Sequence, residues 1–137
     1  MTGADVTQSV EVEAPRERVW ELLTDPGELT RWWPDAAQFE PRLGGQVLLT
    51  FGPGDVRGRV TRWEPPHELG FTWEASNMPG VRLHVSFTVD DLGDGRSRVD
   101  VVHSGFAQAP VEAREAVEGG WGHFLPRLAA AAREETA

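Results

Sequence analysis

Four histidines are the side chains of this sequence best suited to bind a metal ion or move a proton. They are His67, His84, His103 and His123. None of them has a near neighbour at the spacing that lets two imidazoles reach one metal, and the chain has no cysteine. The glycine-rich run 52–58 lacks the Gly-Lys-Ser/Thr ending of a phosphate-binding loop. We therefore expect no metal site and no bound cofactor.

His103 is the most informative of the four. It shares one face of a predicted strand with Val99 and Val101, which indicates that this face is covered. A buried imidazole needs hydrogen-bond partners. Two interpretations stay open: a polar group that orients a ligand, assisted by Arg62, or a core histidine bonded to backbone or to a neighbour such as Arg62 or Glu74.

Catalysis by a nucleophile or by paired acids finds little support. Ser104 adjoins His103, but neighbours on a strand point to opposite faces, which disfavours a Ser–His pair. Among 22 acidic residues, Asp35, Glu40 and Glu74 are expected near the mouth of a cavity, and no pattern pairs them. We therefore assign no catalytic residue.

Aromatic side chains are the stronger signal, with six Trp and six Phe. They can fill a packed core or form the wall of a pocket, and both interpretations remain open. Strand parity places four on the covered face, namely Phe51, Phe71, Trp73 and Phe87. The adjacent Trp32 and Trp33 are expected on a short helix, with one in the core and the other at a pocket entrance.

Composition limits the class of protein. A chain of 137 residues with 39% hydrophobic content suits one globular domain. The net charge of −9 argues against binding to nucleic acid or to anionic membranes. The sequence has no long apolar run and does not open like a signal peptide, so we expect a cytoplasmic protein that does not enter a membrane.

Hydrophobic periodicity supplies the elements that position these residues. One strand precedes two short helices, about six antiparallel strands follow, and a long helix covers the sheet, an α+β arrangement. Six of the strands are expected over 6–13, 46–51, 56–63, 69–74, 81–89 and 97–103, and the helices are expected from residue 15, over 28–33 and over 110–133.

The predicted C-terminal helix has an unusual centre. Gly119, Gly120 and Gly122 surround Trp121, and Pro126 follows. Each glycine costs a helix about 1 kcal/mol relative to alanine and a proline about 3 kcal/mol. The glycines either leave space for a ligand or relieve crowding against the strands, and we expect a bend at Pro126.

Short motifs in a fixed order extend this interpretation over residues 6–134. They are Val10–Pro15, Arg31–Trp33, Pro65–Leu69, Phe71–Trp73, His103–Phe106 and Gly120-Trp121. In this order they resemble the helix-grip superfamily of START and Bet v 1-like proteins, and within it the bacterial branch related to the C-terminal domain of the Hsp90 ATPase activator. The resemblance implies one domain over 6–134, with flexible termini at 1–5 and 135–137.

The resemblance also implies a fold and three candidate functions. The fold is a curved antiparallel sheet of about seven strands wrapped around the long C-terminal helix. We expect first a binding protein for a small apolar or aromatic ligand, with a cyclase- or aromatase-like enzyme of polyketides and an Hsp90-interacting module as alternatives. Independently of the resemblance, Val102 on the exposed face of its strand suggests a homodimer through that face or an edge strand. The expected ligand-binding residues are Trp33, Phe51, Phe71, Trp73, Leu83, Phe87, His103, Phe106, Gly120, Trp121 and Leu125.

Overall fold

A seven-stranded antiparallel sheet forms the centre of the protein. The computed structural model describes residues 5–136. The strand order is β1-β7-β6-β5-β4-β3-β2, and a long C-terminal helix accompanies the sheet, which confirms the predicted α+β helix-grip fold. The elements are β1 Val6–Val12, α1 Arg16–Thr24, α2 Pro26–Leu29, β2 Ala36–Phe39, β3 Gln46–Phe51, β4 Gly54–Glu64, β5 Glu68–Ala75, β6 Leu83–Gly93, β7 Arg96–Ser104 and α3 Val111–Thr136. Of the termini predicted to be flexible, residues 1–4 and 137 lie outside the described residues.

Strand alternation builds the covered face of the sheet. Every second residue of β6 from Leu83 to Val89 is buried, while the residues between them are partly exposed. The register pairs Val85 with His103 and Phe87 with Val101, so the buried side chains of β6 and β7 lie on the same face. This confirms the parity from which His103 was placed inside.

The two short helices close one end of the core. Val19 and Leu22 of α1 are buried, and the Asp25 carboxylate caps α2 by accepting hydrogen bonds from the backbone N–H groups of Gly27 (2.9 Å) and Glu28 (3.2 Å). Such a cap satisfies donors that the first turn of a helix cannot pair internally.

The Trp32-Trp33 pair departs from its predicted position. The helix expected over 28–33 ends at Leu29, and both tryptophans are buried in the turn that follows. Their rings stack at 5.3 Å, and the Trp32 indole N–H donates to the carbonyl of Leu22 at 2.8 Å. The expectation that one would lie at an entrance was wrong, because a turn lets adjacent side chains point the same way.

Helix α3 has two unlike halves. Trp121, Leu125 and Leu128 are buried, whereas none of residues 111–120 is. The Gln8 side-chain amide of β1 donates to the carbonyl of Glu118 at 2.8 Å, which ties the first half to the sheet. Pro126 lies inside the continuous helix and is exposed. The second half therefore anchors α3, and the first half stands over a space.

Candidate ligand-binding cavity

An inner cavity of about 140 Å³ lies where α3 crosses the covered face of the sheet. The turn after α2 supplies Trp33, the sheet supplies residues of β3, β5 and β7, and α3 supplies the remaining wall. The lining residues are Trp33, Phe51, Trp73, His103, Val117, Gly120, Trp121 and Phe124. His103 is the only ionisable residue among them.

A wider groove of about 950 Å³ adjoins the inner cavity and opens to solvent. Phe51, Trp73 and Val117 line both spaces, so the inner cavity and the groove lie side by side and share these walls. The outer walls are the β3–β4 turn, the connection from Ala75 to Met78, and the first half of α3. Space for a larger molecule therefore lies directly beside the inner cavity.

Aromatic contacts hold the cavity wall in place. Trp33 is central: its ring centroid lies 5.0 Å from that of Trp121 and 5.8 Å from that of Trp73, on which it stacks. Phe87 meets Trp33 edge-on at 5.8 Å from behind the wall, and Phe51 lies 6.2 Å from Phe124 within the wall. Such pairs add about 0.5–1.5 kcal/mol each beyond the area they bury, which favours a preformed wall.

His103 is fully buried and has a defined tautomer. The Trp121 indole N–H, which can only donate, points to Nδ1 of His103 at 3.2 Å. Nδ1 must therefore be the acceptor, and the hydrogen of the neutral ring resides on Nε2. That atom has no hydrogen-bond partner among the described residues.

Burial lowers the pKa of His103 from 6.5 to about 3, with a smaller contribution from the nearby His84. The ring is therefore neutral at pH 7. It therefore brings no positive charge to the cavity wall.

Gly120 contributes to the inner cavity through what it lacks. A Cβ atom built there would meet no heavy atom within 4 Å. The glycine therefore borders open space, and no close contact between helix and strand requires it. The same holds for Gly119, but Gly119 and Gly122 are exposed and line no part of the inner cavity.

Six of the eleven expected ligand-binding residues line the inner cavity: Trp33, Phe51, Trp73, His103, Gly120 and Trp121. The other five are buried in the core around it: Phe71, Leu83, Phe87, Phe106 and Leu125. Sequence reasoning missed Val117 and Phe124 as lining residues. Their helical spacing from Trp121, four residues before and three after, was the available signal.

The polar residues expected at the site lie elsewhere. Arg62 is exposed and pairs at 2.9 Å with Glu64 and Glu68, and Glu74 is exposed and pairs with Arg82 at 3.3 Å. They neither touch His103 nor line the inner cavity, so their expected roles there were wrong. Alternation explains the error, because these residues point to the outer face of the sheet.

The remaining acid and hydroxyl candidates are also engaged away from the inner cavity. Asp35 accepts from the backbone N–H of Gly52 at 2.6 Å, Glu40 accepts from that of Gln46 at 2.7 Å, and the Ser104 hydroxyl donates to the carbonyl of His84 at 3.5 Å. Among the side chains that the structure describes, no three His, Asp or Glu form a group able to hold a metal ion. Across residues 5–136, no helix is both long and apolar enough to cross a membrane.

Comparison with known proteins places this geometry in a family. Residues 13–133 match the family model described as Activator of Hsp90 ATPase homolog 1-like protein. The chain belongs to this family. The match covers most of the sequence and confirms the resemblance drawn from the motifs. No curated protein matches the chain.

Several solved structures of other proteins share the fold of this chain. Protein MLL2253 from Mesorhizobium loti superposes with a TM-score of 0.87 at 23% identity, over 96% of this chain and 98% of that one. The solution structure of the Aha1 dimer from Colwellia psychrerythraea gives 0.82 at 20% identity, over 94% and 96%. DynU16, a putative protein in the dynemicin biosynthetic locus, gives 0.82 at 26% identity, over 93% of this chain and 46% of that one.

Proposed function

We propose that this protein binds a small apolar or aromatic molecule between its sheet and α3. The observation that carries the proposal is the inner cavity itself, which has aromatic walls, one buried polar residue, and an open groove beside it. Ligand sites commonly combine a concave apolar wall with very few polar groups.

The size of the inner cavity suits one aromatic ring. An engineered protein cavity of about 150 Å³ takes up benzene, and the inner cavity here is about 140 Å³. Burying apolar surface contributes about 2.5 kcal/mol for each 100 Å², before the entropic costs of association. The groove of about 950 Å³ offers further surface for a larger molecule.

A pair of glycine variants tests the proposal. Gly120→Leu should fill the inner cavity, while Gly119→Leu places the same side chain one residue away on the exposed surface. With toluene as the probe, we expect saturable shifts of tryptophan indole resonances in the parent and in Gly119→Leu. Gly120→Leu should lose them while remaining folded. Equal binding by both variants, or no binding by the parent, would contradict the proposal.

Native mass spectrometry of protein from its own host complements this test. A stoichiometric adduct extracted from the parent and absent from Gly120→Leu would identify the natural ligand class. An adduct that persists in Gly120→Leu would place the ligand elsewhere.

An enzyme of the polyketide cyclase or aromatase type is the second candidate. Its support is the similarity to DynU16, from a biosynthetic locus. Such chemistry needs several converging polar groups, and the inner cavity brings one ionisable side chain, His103. Conversion of an aromatic polyketide precursor by the purified chain, lost in His103→Asn, would favour the enzyme.

Assembly and partners form a separate part of the proposal. The Colwellia Aha1 neighbour was solved as a dimer, and we propose a cytoplasmic homodimer for this chain as well. Sedimentation velocity measures the mass directly, and cell fractionation measures the location. An ATPase assay with the host chaperone tests the Hsp90-interacting alternative, for which a stimulated rate is the required result.

A further inference from the structure

One buried atom of His103, a residue that lines the inner cavity, bears on the kind of ligand that would fit. The bond from Trp121 fixes the His103 ring and directs the remaining hydrogen to Nε2, which has no hydrogen-bond partner among the described residues. Leaving a buried donor unpaired costs stability, and a native structure usually has a reason for it. A ligand atom that accepts this hydrogen would supply the missing bond.

The surroundings of His103 determine what kind of acceptor fits. The inner cavity contains no basic residue, and the ionisable residues that line the outer groove, Asp55 and Glu112, are acidic. A carboxylate or phosphate would lose its hydration there without gaining a counter-charge. An uncharged carbonyl, ether or ring-nitrogen acceptor loses much less hydration, and a hydrogen bond from Nε2 offsets part of that loss.

We propose that the ligand is an uncharged aromatic molecule bearing a hydrogen-bond acceptor, which binds His103 Nε2–H in the inner cavity. The ring lies against Trp33 and Trp73, and any larger body of the ligand passes Phe51 into the outer groove. This inference rests on the proposed function and names the class of ligand for the same site.

The alternative acceptor for the Nε2 hydrogen of His103 is the face of a neighbouring aromatic ring. The rings of His103 and Trp73 are 4.7 Å apart and inclined at 69°. An N–H donated to an indole face is weaker than one donated to oxygen. A ligand acceptor would therefore still compete for the hydrogen, and the experiment below separates the two cases.

Two probes of the same shape test the inference. Acetophenone and α-methylstyrene differ only in having C=O or C=CH₂ beside the ring. The ketone loses more hydration on binding, so the informative quantity is the change in their affinity ratio between the parent and a variant without the donor. His103→Asn has no donor at the Nε2 position, because its amide NH₂ replaces Cδ2 and ends one bond short of Nε2. Its amide oxygen is as many bonds from the backbone as Nδ1 and can still accept from Trp121.

We expect His103→Asn to weaken acetophenone binding relative to α-methylstyrene by about tenfold, which is the effect of about 1.4 kcal/mol. In the parent, acetophenone alone should shift the His103 Nε2 resonance by hydrogen bonding, a measurement that does not depend on the variant folding. An unchanged ratio together with identical Nε2 shifts would overturn the inference and leave the proposed function intact. Absence of binding by both probes would overturn both.

Discussion

Acidification should destabilise this protein through His103. The unfolded imidazole takes up a proton near its ordinary pKa of 6.5, whereas burial lowers the pKa of the folded residue to about 3. Between these values the unfolded state binds one more proton than the folded state. Stability from this residue is therefore complete above pH 6.5 and is lost as the pH falls.

The expected loss is large relative to the stability of a small domain. Each pH unit between the two pKa values contributes about 1.4 kcal/mol, so acidification to about pH 4 should cost about 3 kcal/mol. Domains of this kind are stable by only about 5–15 kcal/mol. His84 and Glu28, whose pKa values are also lowered, add losses of the same sign, so the contribution of His103 must be isolated by a variant.

Urea unfolding of the parent and of His103→Asn, at several pH values between about 4 and 7.5, measures that contribution. As the pH falls, the free energy of unfolding of His103→Asn should decrease less steeply than that of the parent, by about 1.4 kcal/mol per pH unit. His123→Gln is the matched control, because His123 is exposed on α3 and its replacement should keep the steep slope. Coincident slopes for the parent and His103→Asn would refute the reasoning.

Two further changes test how the walls and the short helices are held. Trp33→Ala should lower the free energy of unfolding by about 3–5 kcal/mol, because the ring contacts both Trp73 and Trp121; a loss below 1 kcal/mol in chemical denaturation would contradict its central position. Asp25→Ala should cost about 1 kcal/mol by removing the cap of α2, whereas Asp25→Asn should retain most of it; equal losses in thermal unfolding would rule out the capping role.

Local periodicity was sufficient for most of the fold. The alternation of β6 and β7 predicts both their faces and the burial of His103, because a strand with one covered face repeats every two residues. The strand β2 was missed, since Ala36 and Ala37 carry little β-propensity and its pairing with β3 is set by the sheet. The turn at Trp32-Trp33 was missed for the same reason: burial in the core overrides the local helical pattern.

The candidate site was harder to predict than the fold because its decisive contact joins distant elements. The partner of His103 is Trp121, on a helix that reaches β7 only after the chain has turned back across the sheet. Strand parity places each residue inside but cannot show which pairs meet. The hypothesis that Arg62 or Glu74 would bond His103 failed on this point, because both project from the opposite face.

The glycines of α3 make sense once the two halves of the helix are considered separately. Packing of Trp121, Leu125 and Leu128 anchors the second half, and tertiary burial of this kind contributes more to a helix than intrinsic propensity does. The first half buries no residue and borders the groove, and Gly120, which lines the inner cavity, has open space where its side chain would be. Glycine at position 120 therefore leaves unfilled the space beside Trp121 on which the proposed ligand site depends.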